Sequence, residues 1–76
     1  MKDEFLIEPI VIKTIGDNVE EFGDIKIKDN DNPIGIYFFK KIGNTVFESG
    51  LHFFDGKIIS NIKSTPQQLI DNINNG

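Results

Sequence analysis

Two turn signals flank an apolar run in the most aromatic part of the chain, and they limit the folds open to it. Gly43-Asn44 and Asp55-Gly56 are dipeptides of the kind that close two-residue β-hairpins. The residues around them are mostly β-branched or aromatic, as is typical of strands. The sequence therefore predicts a meander of three antiparallel strands over residues 34–62.

Two-residue turns also determine the pairing register of both hairpins. With that register, apolar side chains from all three strands form a continuous surface on one face of the meander, and we expect this face to be the core. A shift by one residue would send every side chain of a strand to the opposite face. The expected core face consists of Ile34, Ile36, Phe38, Ile42, Phe47, Leu51, Phe53, Ile58 and Ile62.

The opposite face of the predicted meander is amphipathic, because the adjacent pairs Phe38-Phe39 and Phe53-Phe54 each place one ring on each face. Tyr37 is expected opposite Gly50, so that its ring covers the glycine. The terminal helix, the first strand or another molecule would cover this face, and a contiguous exposed patch is typical of an interaction site. The candidate binding residues here are Tyr37, Phe39, His52 and Phe54.

The rest of the chain predicts two further strands and a helix. Phe5–Ile15 is rich in β-branched residues and contains Pro9, which indicates an edge strand or a bulge. Residues 20–28 alternate at their end, with isoleucines inward and lysines outward. Thr65 followed by Pro66 and Gln68 predicts a helix that begins with a capping box and docks on the sheet through Leu69, Ile70 and Ile73.

These elements predict one domain over residues 1–76, of the α+β class and mainly β. We expect about five antiparallel strands in a bent sheet or a small open barrel, with one α-helix at the C-terminus. The 76 residues include no cysteine and no apolar stretch long enough to cross a membrane, so we expect a cytoplasmic protein without membrane contact. The net charge of −4 and the absence of arginine disfavour a nucleic-acid partner.

The sequence contains few side chains arranged for catalysis or metal binding. His52 is the single histidine, and a strand places it and Ser49 on opposite faces, where they cannot act as nucleophile and base. Asp29 and Asp31 begin like a calcium loop, but Pro33 and Lys40 break the pattern. We therefore expect no enzymatic activity, no cofactor and no metal site.

An acidic stretch around Phe22 is the first candidate binding site. It is either a solvated turn or an anionic docking surface for a basic partner, with an apolar anchor inside a charged rim. Its candidate contacts are Asp17, Glu20, Glu21, Phe22 and Asp24.

The favoured function is a non-enzymatic protein-binding module, namely a small acidic inhibitor or immunity-type protein that occludes a basic partner. The alternative is a structural subunit that forms homo-oligomers through the aromatic sheet face. A third hypothesis, a single-stranded nucleic-acid binder that stacks bases on aromatic side chains, is opposed by the net charge.

Overall fold

Five consecutive antiparallel strands form one open sheet, and a helix follows them. The computed structural model describes residues 4–43 and 46–76. The strands are β1 (Phe5–Ile15), β2 (Asn18–Ile27), β3 (Gly35–Ile42), β4 (Val46–Phe53) and β5 (Ile58–Ile62), and the helix α1 spans Pro66–Asn75. The sheet order is β1-β2-β3-β4-β5, so every strand pairs with its neighbours in the chain. This confirms the predicted fold class in its open form.

The proline in β1 has the predicted effect. β1 is an edge strand, and its pairing with β2 shifts between Pro9 and Val11, which makes Ile10 the extra residue of a bulge. Proline has no N–H to donate to a ladder, so an edge strand at a bulge is where it is tolerated.

The predicted register of both hairpins is wrong by one residue. Ile42 pairs with Val46, so three residues separate the paired positions rather than two, and Asn44 lies outside the described residues. In the second hairpin the Phe53 N–H donates to the Lys57 carbonyl at 2.9 Å, and the Gly56 N–H donates to the Phe53 carbonyl at 3.0 Å. Gly56 has a φ of 101°, as expected for a three-residue hairpin loop that ends in a left-handed glycine.

This shift places the core on a different set of residues in β3 and β5. We call the face against α1 the inner face and the opposite side the outer face. On the inner face Tyr37 and Leu51 are directly opposite one another, and Leu51 is also opposite Ile59. The buried apolar residues are Ile25, Tyr37, Leu51, Phe53, Leu69 and Ile70. The expected core positions of Leu51 and Phe53 are therefore confirmed, whereas those of Ile36, Phe38, Ile42, Ile58 and Ile62 are wrong.

Two glycines make room for aromatic rings, one on each face. Tyr37 is opposite Gly23 rather than Gly50, and a Cβ atom on Gly23 would collide with Tyr37 Cε1 and with the backbone oxygen of Glu8. The ring over Gly50 is that of Phe38, on the outer face. Each ring occupies the volume that a side chain would take, so both glycines are required by close packing.

The helix begins and docks as predicted. Thr65 is the N-cap, its hydroxyl accepts from the Gln68 N–H at 3.2 Å, and the Gln68 side chain accepts from the Thr65 N–H at 2.9 Å. Leu69 and Ile70 are buried against the inner face, and Ile73 packs beside them.

Polar contacts attach both ends of the helix to the sheet. Near its start, the buried Ser49 hydroxyl donates to the Ser64 carbonyl at 2.6 Å. Near its end, the Asn74 side chain accepts from the Phe5 N–H at 2.8 Å and donates to the Phe5 carbonyl at 2.9 Å. These contacts satisfy buried or half-buried polar groups and orient the helix across the strands.

Candidate functional site

The outer face presents a central apolar row that crosses the sheet. The register aligns Val11 with Phe22, Phe22 with Phe38, and Phe38 with Gly50. We call these four residues the apolar row. Since directly opposed residues point to the same side, their side chains form one surface on the side away from α1.

This surface is exposed to an extent that is unusual for apolar side chains in neighbouring positions. Val11 is 51% exposed, Phe22 53% and Ile36 50%, and Ile58 on β5 reaches 67%. Phe22 and Ile36 line two adjoining depressions of about 240 and 180 Å³, one of them extending to Ile58 and the other to Val11. A contiguous exposed apolar patch of this kind is characteristic of a binding surface.

A row of alternating charges runs beside the apolar row. On neighbouring strands Lys13 lies opposite Glu20, Glu20 opposite Lys40, and Lys40 opposite Glu48. We call these four exposed residues the charged row. The ion pairs within 4.0 Å in the described chain lie elsewhere, between Lys26 and Glu8 and between Lys28 and Glu4.

The acidic stretch is divided between the two faces. Glu20, Phe22 and Asp24 alternate along β2 and all lie on the outer face, where Phe22 belongs to the apolar row. Glu21 lies on the inner face, and Asp17 lies in the turn between β1 and β2. The structure thus brings together three of the five predicted contacts and separates Glu21 and Asp17 from them.

The second predicted surface does not exist as one face, because the corrected register separates its members. Tyr37 is buried on the inner face, and Phe39 is half-buried there, 6.0 Å from the ring of Phe47. His52 is exposed on the outer face beside Ile36, and Phe54 is 64% exposed in the turn before β5.

Two titratable groups are shifted by their contacts. Burial, together with a 2.6 Å hydrogen bond from the Tyr37 hydroxyl to Glu21 Oε2, raises the pKa of Tyr37 well above its usual value. A 2.7 Å hydrogen bond from Lys26 Nζ to Glu8 Oε2 raises the pKa of Lys26. Both contacts tie neighbouring strands together and leave the apolar row untouched.

The described residues hold no cluster of three or more metal-ligating side chains. Over residues 4–43 and 46–76, α1 is the one helix, and it is too short and too polar to cross a membrane. His52 and Ser49 lie on opposite faces of β4, and Ser49 is buried beneath the start of the helix.

Sequence reasoning assigned Phe38, Ile36 and Ile58 to the core and gave no role to Val11. The signal that identifies the exposure of Ile58 is in the second loop. Phe54, Asp55 and Gly56 fit a three-residue hairpin loop with glycine last as well as they fit a two-residue turn. The three-residue alternative turns β5 over and exposes Ile58.

Comparison of this chain with family models, with curated proteins and with solved structures finds no match. The outer face is therefore interpreted from its own geometry.

Proposed function

We propose that this chain is a non-enzymatic protein-binding module and that the outer face of its sheet is the binding surface. The observation that carries the proposal is the exposed apolar row in the middle of a five-stranded sheet. The helix occupies the inner face, and no described residue covers the outer one. Aromatic and aliphatic side chains surrounded by charges are the usual anatomy of a protein interface.

Phe22 is the expected anchor of this surface. It lies near the middle of the face, it is more than half exposed, and it lines both depressions. Exposed rings that become fully desolvated on binding contribute most of the affinity in many interfaces.

The charges of the outer face bear on the inhibitor hypothesis. Glu20 and Asp24 flank Phe22 along β2, which supports an acidic inhibitor that occludes a basic partner. Lys13 and Lys40 on the neighbouring strands oppose that hypothesis, because they neutralise Glu20 locally. We propose a cytoplasmic location on the composition alone, since the chain has no cysteine.

Two lysine substitutions test the binding surface. Phe22→Lys places a charge in the apolar row, and Ile12→Lys places the same charge on the inner side of β1, where Ile12 is 60% exposed. Tagged wild type and both variants would serve as baits in the same lysate, with circular dichroism to establish that all three are folded. We expect one stoichiometric partner with wild type and Ile12→Lys and its loss with Phe22→Lys.

Capture of the same proteins by all three baits would contradict the assignment of the outer face. The inhibitor version makes a further demand, because an electrostatic complex weakens steeply with salt. Glu20→Gln should then slow association with the captured partner at low salt, and a complex insensitive to both salt and Glu20→Gln would rule out the basic-partner version.

A further inference from the structure

We infer that the partner of the outer face is a second copy of this chain, packed sheet against sheet about a two-fold axis. This inference rests on the proposed function and specifies its partner. It follows from the order in which charges occur across the exposed face of the sheet.

The charged row is complementary to itself when it is reversed. From β1 to β4 it reads Lys13, Glu20, Lys40, Glu48, which is a strict alternation of sign over an even number of strands. A two-fold axis parallel to the strands, between β2 and β3, lays β1 over β4 and β2 over β3 of the second copy. Lys13 then faces Glu48 of the other copy and Glu20 faces Lys40, so all four contacts join opposite charges.

The same axis brings the apolar rows of the two copies together. It reads Val11, Phe22, Phe38, Gly50, and the same axis places Phe22 of one copy against Phe38 of the other. Val11 faces Gly50, over which the Phe38 ring of the same chain lies, so Val11 meets the edge of that ring. These contacts bury apolar side chains against one another in the middle of the interface.

The third row is complementary only at its ends. On the first four strands it reads Glu8, Asp24, Ile36, His52. Reversal places the Glu8 carboxylate, which also accepts from Lys26 of its own chain, opposite the His52 imidazole of the other copy, and it places Asp24 opposite Ile36. An axis through the middle of β3 would instead place Lys40 on Lys40, and an axis between β3 and β4 would leave Glu20 opposite Ile62, so the axis between β2 and β3 joins the most opposite charges.

The size of this surface predicts a reversible dimer. With strands spaced by ~4.8 Å and successive outward residues by ~6.8 Å, the grid of four strands and three rows has a footprint of roughly 400 Å². That is small for a specific interface, for which about 800 Å² of accessible surface per partner is standard. We therefore expect dissociation in the micromolar range.

Charge-row variants test the two-fold arrangement directly. Lys13→Glu with Lys40→Glu makes the row wholly acidic, and Glu20→Lys with Glu48→Lys makes it wholly basic. Sedimentation equilibrium of the wild type should show a monomer–dimer equilibrium. Each double variant alone should have a dimer affinity roughly a hundredfold lower, because four attractive contacts become repulsive. An equimolar mixture should form a heterodimer within about tenfold of the wild-type affinity.

Single variants keep the test decisive if the double variants fail to fold. Phe22→Lys should be monomeric under conditions in which Ile12→Lys and wild type are dimeric. A wild type that is monomeric at high concentration would overturn the second copy as partner, and so would a dimer that survives Phe22→Lys or a mixture of charge variants that stays monomeric.

The two proposals fail separately. If the wild type is monomeric but Phe22→Lys still abolishes capture of another protein, the outer face remains a binding surface and only its assigned occupant is wrong. If Phe22→Lys changes neither sedimentation nor capture, both proposals are wrong.

Discussion

Substitution of Tyr37 by phenylalanine should show how much the hydroxyl of this side chain, apart from its ring, contributes to the free energy of unfolding. Tyr37 is 2% exposed, and its hydroxyl donates a 2.6 Å hydrogen bond to the half-buried carboxylate of Glu21. Tyr37→Phe keeps the ring over Gly23 and removes only that bond. Hydrogen bonds to charged groups contribute about 1.5–3 kcal/mol, and Glu21 can recover water, so we expect a loss of about 1.5 kcal/mol of unfolding free energy at neutral pH.

The stability that the Tyr37 hydroxyl contributes should decrease as the pH rises into the alkaline range. The folded-state pKa of Tyr37 is raised, so the hydroxyl contributes fully below the pKa of the unfolded chain, which is about 10. Above that pH the unfolded state loses a proton that the folded state keeps, and stability falls by up to about 1.4 kcal/mol per pH unit. Tyr37→Phe has no such group, so the difference between the two proteins should vanish about one unit above pH 10.

Urea unfolding of both proteins, followed by circular dichroism from neutral to alkaline pH, measures this difference. Tyr37 is the one tyrosine of the chain, so the ultraviolet absorbance of tyrosinate reports its ionisation without overlap. In the wild type that absorbance should rise only together with unfolding. Ionisation of a folded protein near pH 10, or a stability difference that stays constant with pH, would show that the Glu21 contact and the burial do not hold the proton as described.

Two further pairs of substitutions test the core and the helix start. Ile70→Ala should lower the free energy of unfolding by about 2–5 kcal/mol, because Ile70 is fully buried between helix and sheet. Ile58→Ala, at a 67% exposed position, should change the stability of the monomer by less than about 1 kcal/mol. Equal losses in urea unfolding would contradict the assignment of the two faces. Thr65→Ala should lower the free energy of unfolding by about 1 kcal/mol, because it removes the capping box. Thr65→Ser is the conservative control and should retain most of that stability. An unchanged melting temperature of Thr65→Ala in calorimetry would show that the cap is dispensable.

Local signals in the sequence predicted most of the fold. Pro9 indicated an edge strand or a bulge, and Thr65 with Gln68 indicated the start of the helix. Pro9 acts by lacking a backbone N–H, and the capping box acts by pairing the N–H groups of Thr65 and Gln68, so both signals are local and do not depend on the rest of the structure.

The register could not be predicted in the same way, because both alternations of β3 are apolar. Ile36 and Phe38 lie on one face and Tyr37 and Phe39 on the other, so the hydrophobic pattern fits either register. The length of each hairpin loop then decides the register of its own pair of strands, and in the second hairpin Asp55-Gly56 suits loops of two residues and of three. The prediction of the candidate site depended on the register: Phe22 was identified through its acidic neighbours, but Phe38 was assigned to the core and Val11 was given no role.

The contact between Asn74 and Phe5 joins the start of the first strand to the end of the helix, 69 residues later. During translation, all five strands are therefore made before the segment that covers the inner face. Until residues 69–74 dock, the sheet presents apolar side chains on both faces, and an apolar surface without its cover is prone to aggregation. Completion of the fold is then a long-range event, and contacts of large sequence separation slow folding.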